Sequence, residues 1–296
     1  MALINTPENE HPVISIQGLK GSFHHIAAEQ LFGQADFLER GSFERVFEDC
    51  ATKRADFAVV AIENSIAGSL LENYDLLAQN HLEIVGEALL HIQHHLIAHP
   101  GTELKQIQEI WSHPMAINQS KAYLDNLNKV VIEKPDTAAS VQMIKDHKLK
   151  HVAAIASDRA AELFKMEIIK RNIETDPNNY TRFLILSNGK NFNTRADLPR
   201  KMTLHFSVPE GPGALVRFLQ PLAEAEINMS MIESRPRIGK PWKYDFFVDL
   251  QLQAGQETPT QLLEELNEYT LFLNRLGSYP CFGYLRESSQ DNAAGS

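Results

Sequence analysis

Phe57-Ala58-Val59-Val60-Ala61-Ile62-Glu63-Asn64-Ser65 is the stretch on which the fold turns. Its first six residues are continuously apolar and rich in small and β-branched side chains, the composition of a strand buried on both faces. The run then breaks into a carboxylate, a carboxamide and a hydroxyl. Gly68-Ser69 follows, and then a helical pattern through Leu70, Leu71, Tyr74, Leu76 and Leu77. Upstream, Val13-Ile14-Ser15-Ile16 reads the same way: a strand, a turn at Gly18-Leu19-Lys20-Gly21-Ser22-Phe23, and a helix through Ala27, Ala28 and Leu31. Repetition of this unit predicts an α/β fold with a mostly parallel sheet.

The unit recurs after His81. Ile107 to Trp111 predicts a strand ending at Ser112-His113-Pro114, with a helix through Ile117, Tyr123 and Leu124 behind it. Pro135-Asp136-Thr137 opens another helix, and His151 to Ala156 predicts a strand ending at Ser157-Asp158. Ser22, Asn64, Ser65, Ser112, Thr137 and Ser157 all fall at or near helix starts, where each is a good N-cap. Open α/β sheets also bind ligands beyond the carboxyl ends of their strands. Helix N-termini there offer free N–H groups and a partial positive charge. Several aimed at one crevice predict a site for a small anion with two or more carboxylates. Gln119 lies seven residues after Ser112, two helical turns, and faces the same crevice if the helix begins there.

Asp176-Pro177-Asn178 predicts a turn into Asn179-Tyr180-Thr181-Arg182-Phe183 and an apolar strand, Leu184-Ile185-Leu186. Thr181 offers a movable proton donor and Arg182 a planar fork suited to a carboxylate. A turn hydroxyl beside a solvated charge is the other reading of these residues alone.

After Asn188-Gly189-Lys190 the chain is polar through Arg200, and then its period changes. Met202, Leu204, Phe206 and Val208 alternate with Lys201, Thr203, His205 and Ser207, the mark of a half-buried strand. Gly211-Pro212-Gly213 turns into a helix with Leu215, Phe218, Leu219 and Leu222. Strands over 227–235 and 244–250, a helix around Leu262 to Phe272 and a strand over 276–284 complete the order βαββαβ. This predicts an antiparallel sheet with two helices on one face and edges open to pairing between subunits.

With 28 Lys+Arg against 38 Asp+Glu the formal charge is −10, and no basic block is present, which argues against nucleic-acid binding. No apolar run approaches the ~18 residues of a membrane span and the first residues are polar, giving a cytoplasmic reading. Cys50 and Cys281 are too few and too far apart for a disulfide framework. His91, His94, His95 and His99 lie on a run whose strand geometry puts neighbours on opposite faces, so no metal site is read there.

Gly21-Ser22-Phe23, Ala61-Ile62-Glu63-Asn64-Ser65, Ser112-His113-Pro114 with Gln119, Asp136-Thr137-Ala138 and Asn179 to Phe183 together resemble the prephenate dehydratases. Gly213-Ala214-Leu215-Val216 and Glu233-Ser234-Arg235-Pro236 resemble the two signature motifs of their ACT regulatory domain. The likeness runs from about Val13 to Arg286, as in the single-function enzymes. His24 departs from it, standing where the family more often has a small hydroxyl residue, as does Pro221 inside the first ACT helix, where it should kink or shorten it.

The resemblance implies a two-lobed, periplasmic-binding-protein-like catalytic domain over 11–188. Lobe 1 takes about 11–87 plus 181–188 and lobe 2 about 88–180. A linker at 189–200, a ferredoxin-like ACT domain at 201–286 and a disordered tail at 287–296 follow. The implied reaction converts prephenate to phenylpyruvate with loss of CO2 and water in L-phenylalanine biosynthesis. No cofactor or metal is required, because aromatisation drives it. Thr181 would donate to the leaving hydroxyl, with Asn64, Ser112 and Gln119 orienting substrate and Glu63 orienting or supporting them. Ser22 and Ser65 would add polar contacts, Phe183 a wall, and Arg182 either a partner for a substrate carboxylate or a structural ion pair. Phenylalanine would bind Gly213, Ala214, Leu215, Val216, Asn228, Glu233, Ser234, Arg235 and Pro236 at a subunit interface of a homodimer or homotetramer. Arogenate dehydratase and a non-catalytic amino-acid sensor remain open as alternatives.

Overall fold

The computed structural model describes residues 2–4, 11–192, 197–237, 239–252 and 260–285. The tail expected at 287–296 lies outside the described residues. The chain begins with β1 (Val13–Gln17), α1 (Phe23–Phe32), β2 (Asp36–Arg40), α2 (Phe43–Ala51), β3 (Phe57–Asn64), the short β4 (Gly68–Ser69), α3 (Leu71–Asn80) and β5 (Glu83–His91). It continues through β6 (His95–Ala98), β7 (Glu109–Ser112), α4 (Pro114–Gln119), α5 (Lys121–Leu124), β8 (Val130–Glu133), α6 (Thr137–Asp146), β9 (Val152–Ala156), α7 (Asp158–Phe164) and β10 (Glu167–Lys170). It then returns in β11 (Tyr180–Ser187) and ends in β12 (Arg200–Ser207), α8 (Ala214–Glu224), β13 (Met229–Pro236), β14 (Tyr244–Leu252), α9 (Thr260–Glu268) and β15 (Phe272–Tyr284).

Two sheets result. The smaller, β10-β6-β9-β7-β8, is the core of one lobe. The larger runs β13-β14-β12-β15-β5-β11-β3-β1-β2 and joins the other lobe to the C-terminal module. β5 and β11 belong to the larger sheet and β6 and β10 to the smaller, so 92–94 and 171–179 connect the two. The expected parallel pairs are present: β1 with β2 and β3, and β7 with β8 and β9. The sheets are nonetheless mixed. The returning strand β11 inserts between β3 and β5 and runs against both, and β6 runs against β9 and β10.

In the C-terminal module α8 and α9 cover one sheet face through Met202, Leu204, Phe206, Phe218, Leu222, Val248, Leu250 and Leu266. Pro221 does not end α8, which runs on to Glu224 with Pro221 buried inside it. The opposite face departs from the sequence reading. Lys201, Thr203 and His205 alternate as solvent-facing residues would, yet Thr203 and His205 are buried, because this face packs on the catalytic lobe. Phe247, Leu276 and Tyr279 share a core with Val60, Tyr74, Leu77, Ile84 and Leu184. β15 pairs antiparallel with β12 and also parallel with β5. The approach is close: a Cβ on Gly277 would lie 2.1 Å from the Ile84 carbonyl oxygen. The module is therefore docked by sheet and core as well as tethered.

Candidate active site

A cavity of about 180 Å³ lies where the two lobes meet. Ser22, Phe23 and His24 reach it from the start of α1, Ala61 and Asn64 from the end of β3, and Thr181 and Phe183 from β11. The other lobe supplies His113, Met115, Ala116 and Gln119 from α4 and its cap, and Pro135, Asp136 and Thr137 from the start of α6. Thr181 and Phe183 share the cavity because residues two apart on a strand point to the same side.

Asn64 is at the centre of a hydrogen-bond network. Its Nδ2 lies 3.0 Å from Thr181 Oγ1, 2.8 Å from Asn179 Oδ1 and 3.1 Å from the Tyr180 carbonyl, two hydrogens shared among three acceptors. Its Oδ1 accepts from the backbone of Ile66 and Ala67 and from Gln119 Nε2 at 3.2 Å. Gln119 Oε1 in turn accepts from Asn179 Nδ2 at 3.1 Å and from His94 Nε2 at 2.8 Å. The Thr181 hydroxyl thus accepts from Asn64, which Gln119 of the other lobe holds in turn; among the described residues no group takes the hydroxyl hydrogen.

Burial disfavours the charged form of His24 and His94. Burial lowers His94 to about 4, against a smaller opposing push from its bond to Gln119, and lowers His24 to about 3. His24 Nε2 accepts the Ala61 N–H at 3.3 Å and its ring meets Phe183 edge-on at 5.1 Å, filling the wall beside Thr181. Phe23 meets His94 in the same way at 5.5 Å. Asp136 caps α6 by accepting from Ala139 N at 2.7 Å, and burial raises its carboxyl above the usual range. Among the described residues lining the cavity, Asp136 is the one Asp or Glu, and there is no Lys or Arg.

Several expected positions lie elsewhere. Ser112 does not cap α4; His113 does, through Nδ1 to Met115 N. Ser112 is the last residue of β7, fully buried, with its hydroxyl donating to the Ile155 carbonyl at 2.6 Å. Ser65 faces outward and bonds the Asn178 carbonyl and the Tyr180 N–H. Ser22 lines the cavity, but its hydroxyl already caps α1 by accepting from His25 N. Arg182 turns to the opposite side of β11 from Thr181. There its Nε donates to Glu87 Oε2 at 2.7 Å, Nη2 bonds Asp249, and Glu63 lies 3.6 Å from Nη1. Arg182 and Glu63 therefore do not reach the cavity, and of the two readings of Arg182 the ion pair is the one observed. Sequence reasoning missed His94 and Asp136 as cavity groups, and Asn179 as the buried partner of Asn64 and Gln119 behind them. Asn179 carried a signal, since it is two residues before Thr181.

Residues 14–191 match the family model described as prephenate dehydratase, and residues 202–268 match the ACT domain. The chain belongs to the prephenate dehydratase family. An Arabidopsis thaliana relative named arogenate dehydratase/prephenate dehydratase 1, chloroplastic, is 36% identical over 281 residues, covering 90% of this chain and 71% of the relative. The structure of Arthrobacter aurescens prephenate dehydratase in complex with L-Phe superposes with a TM-score of 0.81 at 29% identity, covering 90% and 89% of the two chains. A structure described as GqqA, a novel type of quorum quenching acylase, also gives a TM-score of 0.81, at 32% identity over 91% and 98%. Like its family, this chain is a dehydratase with an ACT module.

The ACT motifs of this prephenate dehydratase family member lie on two elements, α8 and β13. Gly213 holds a left-handed conformation (φ 73°) at the N-cap of α8, Ala214 is buried, Leu215 packs on the module's core and Val216 is exposed. On β13, Ser234 and Pro236 are exposed and Glu233 is half-buried. Arg235 is committed to Asp75 of α3 in a two-pronged pair, at 2.9 and 2.6 Å. Asn228 bonds Gln251 Oε1 at 2.6 Å beside Lys201 and Cys281, in a separate groove.

Proposed function

We propose that the cavity converts prephenate to phenylpyruvate, with Thr181 donating a hydrogen bond to the departing hydroxyl. The observation that supports this is the chain His94–Gln119–Asn64–Thr181, which fixes the Thr181 oxygen and leaves its hydrogen without an acceptor among the described residues. A threonine hydroxyl is not an acid near neutrality. Its contribution is a bond that strengthens as charge grows on the leaving oxygen. The ring–carboxylate bond breaks to release CO2, its electron pair enters the ring, and hydroxide leaves across the ring, becoming water with a solvent proton. No oxidant or reductant enters the balance. Phe23, Phe43 and Phe183 suit the ring. The N-termini of α1 and α6 suit carboxylates. Asn64 and Gln119 orient the substrate.

One observation favours a second reading, the same elimination on arogenate. Among the described lining residues Asp136 is the one carboxyl, and its burial is relieved by a substrate that brings an ammonium group. An acylase, the word in the GqqA description, that works through a hydroxyl nucleophile needs that hydroxyl paired with a base. The hydroxyls of Ser22 and Thr181 bond backbone and Asn64 instead.

L-Phenylalanine binds the ACT module and lowers turnover. The assembly is a homodimer or homotetramer that uses β13, the outermost strand of the large sheet. Cys50 and Cys281 are both unpaired, in keeping with a reducing compartment, and the proposal places the enzyme in the cytoplasm. The test is ultraviolet detection of phenylpyruvate from prephenate by the purified chain, and of phenylalanine from arogenate, each with and without added phenylalanine. Turnover of either substrate, slowed by the effector, is expected. A chain that binds phenylalanine and turns over neither is a sensor, and the proposal fails.

A further inference from the structure

β11 carries Thr181 on its cavity side and Arg182 on the other. Behind it, facing the ACT sheet, is a closed polar cluster. Arg182 holds Glu87 of β5 at 2.7 Å and Asp249 of β14, and its Nη2 lies 3.4 Å from the Tyr279 hydroxyl of β15. Thr203 of β12 donates to Asp249 at 2.6 Å and meets the Tyr279 hydroxyl at 2.8 Å. Lys201 closes the set on Glu87 at 2.7 and 3.0 Å. Arg182, Glu87, Asp249, Thr203 and Tyr279 are all buried, Arg182 the least at 7% exposure.

Buried ion clusters are seldom more stable than well-packed apolar groups of the same volume. Such a cluster between two modules fixes their relative position more than it holds them together. Its location is specific. Asp249 is opposite Met231 of β13 in the ladder, and β13 continues into Glu233-Ser234-Arg235-Pro236. On the other side, the pairing of β11 with β3 shifts register between Arg182 and Phe183, so the backbone beside Thr181 is irregular where Arg182 is anchored.

We propose that Arg182 is a positioning residue through which the ACT sheet, by way of Asp249 and Tyr279, sets the placement of Thr181. This rests on the catalytic and effector roles given above. A ligand that favours one placement of β13 and β14 moves Asp249, and Arg182 carries that movement to the adjacent residue of the same strand. The effector then changes turnover only if it binds the two placements with different affinity.

The test uses the full chain and two variants, Asp249→Asn, which keeps shape and loses charge, and Tyr279→Phe, which keeps the packed ring and loses one hydroxyl. Phenylalanine affinity is measured by calorimetry and half-inhibition by steady-state turnover, with thermal melts in parallel. Expected is an affinity within about twofold of the parent, with at least fivefold more phenylalanine needed for half-inhibition, in Tyr279→Phe even if Asp249→Asn fails to fold. Inhibition that tracks affinity unchanged in a folded variant overturns the relay, as does a parent that turns over substrate without responding to phenylalanine. A parent that turns over neither prephenate nor arogenate overturns the functional reading itself.

Discussion

The inner wall of the cavity depends on imidazoles that stay neutral. His24 and His94 fall to about 3 and about 4 in the fold, chiefly by burial, from 6.5 when exposed. Their folded values lie below the unfolded ones, so their contribution is fully present above pH 6.5 and is lost progressively as pH falls from there to the folded values. The loss for each is about 1.4 kcal/mol per pH unit in that window. Thermal melts from pH 7 to 5 should fall, and His94→Gln, which can still donate to Gln119, should fall less steeply. Equal slopes would show that His94 is not held neutral. At the mouth of α6, Asp136→Asn keeps the cap and removes the charge. It should lower the ratio of arogenate to prephenate kcat/KM by about tenfold, the value of one charged hydrogen bond; an unchanged ratio removes Asp136 from substrate choice. Asn64, Gln119, Thr181 and Phe183 were legible in the sequence as motif residues, and all reach the cavity. Ser112 was not placed correctly, because a hydroxyl at a strand end looks the same whether it caps a helix or bonds the next strand.

Strand alternation explains the main correction. The sequence pattern sets Thr181 and Arg182 side by side at a loop's end, but both lie inside β11, where adjacent residues face opposite sides. The same rule misled in β12. A polar alternating face reads identically whether it meets water or the polar interface of a second module, so the burial of Thr203 and His205 carried no sequence signal. Helix caps were read only in part: Ser22 and Ser157 cap α1 and α7 as expected, but Asp136 and not Thr137 caps α6, and Asn64 and Ser65 lie ahead of α3, whose N-cap is Leu70. Ser157 also donates to the Gly21 carbonyl at 2.6 Å, joining the lobes. Beside it, Arg159 of α7 grips Glu29 of α1 at 2.6 and 3.1 Å, with both side chains about one-third exposed. Pairs so exposed contribute about 0.2–1 kcal/mol. Arg159→Ala should therefore raise KM no more than about fivefold, with kcat within about twofold, in steady-state assays. A fall in kcat at constant KM would mean that the pair acts on the chemistry instead of on closure.

Across the whole molecule, βα repetition and the later change to βαββαβ gave both modules, but not the way they join. The junction depends on β15 running from the ACT sheet into the lobe, which local periodicity does not encode because the partner strands are far apart in sequence. Gly277 sits at that contact. Gly277→Ala should cost about 1–3 kcal/mol by forcing β15 from Ile84. A melt unchanged from the parent would show that the two strands can part freely. The central claim is that the cavity between the lobes acts through the Thr181 hydroxyl, and its most direct test is prephenate turnover by the parent, Thr181→Ser and Thr181→Ala. The account predicts that Thr181→Ala loses roughly 10²–10⁴-fold in kcat with KM within a few-fold, while Thr181→Ser retains most activity. Unchanged kcat with a raised KM in Thr181→Ala would contradict it.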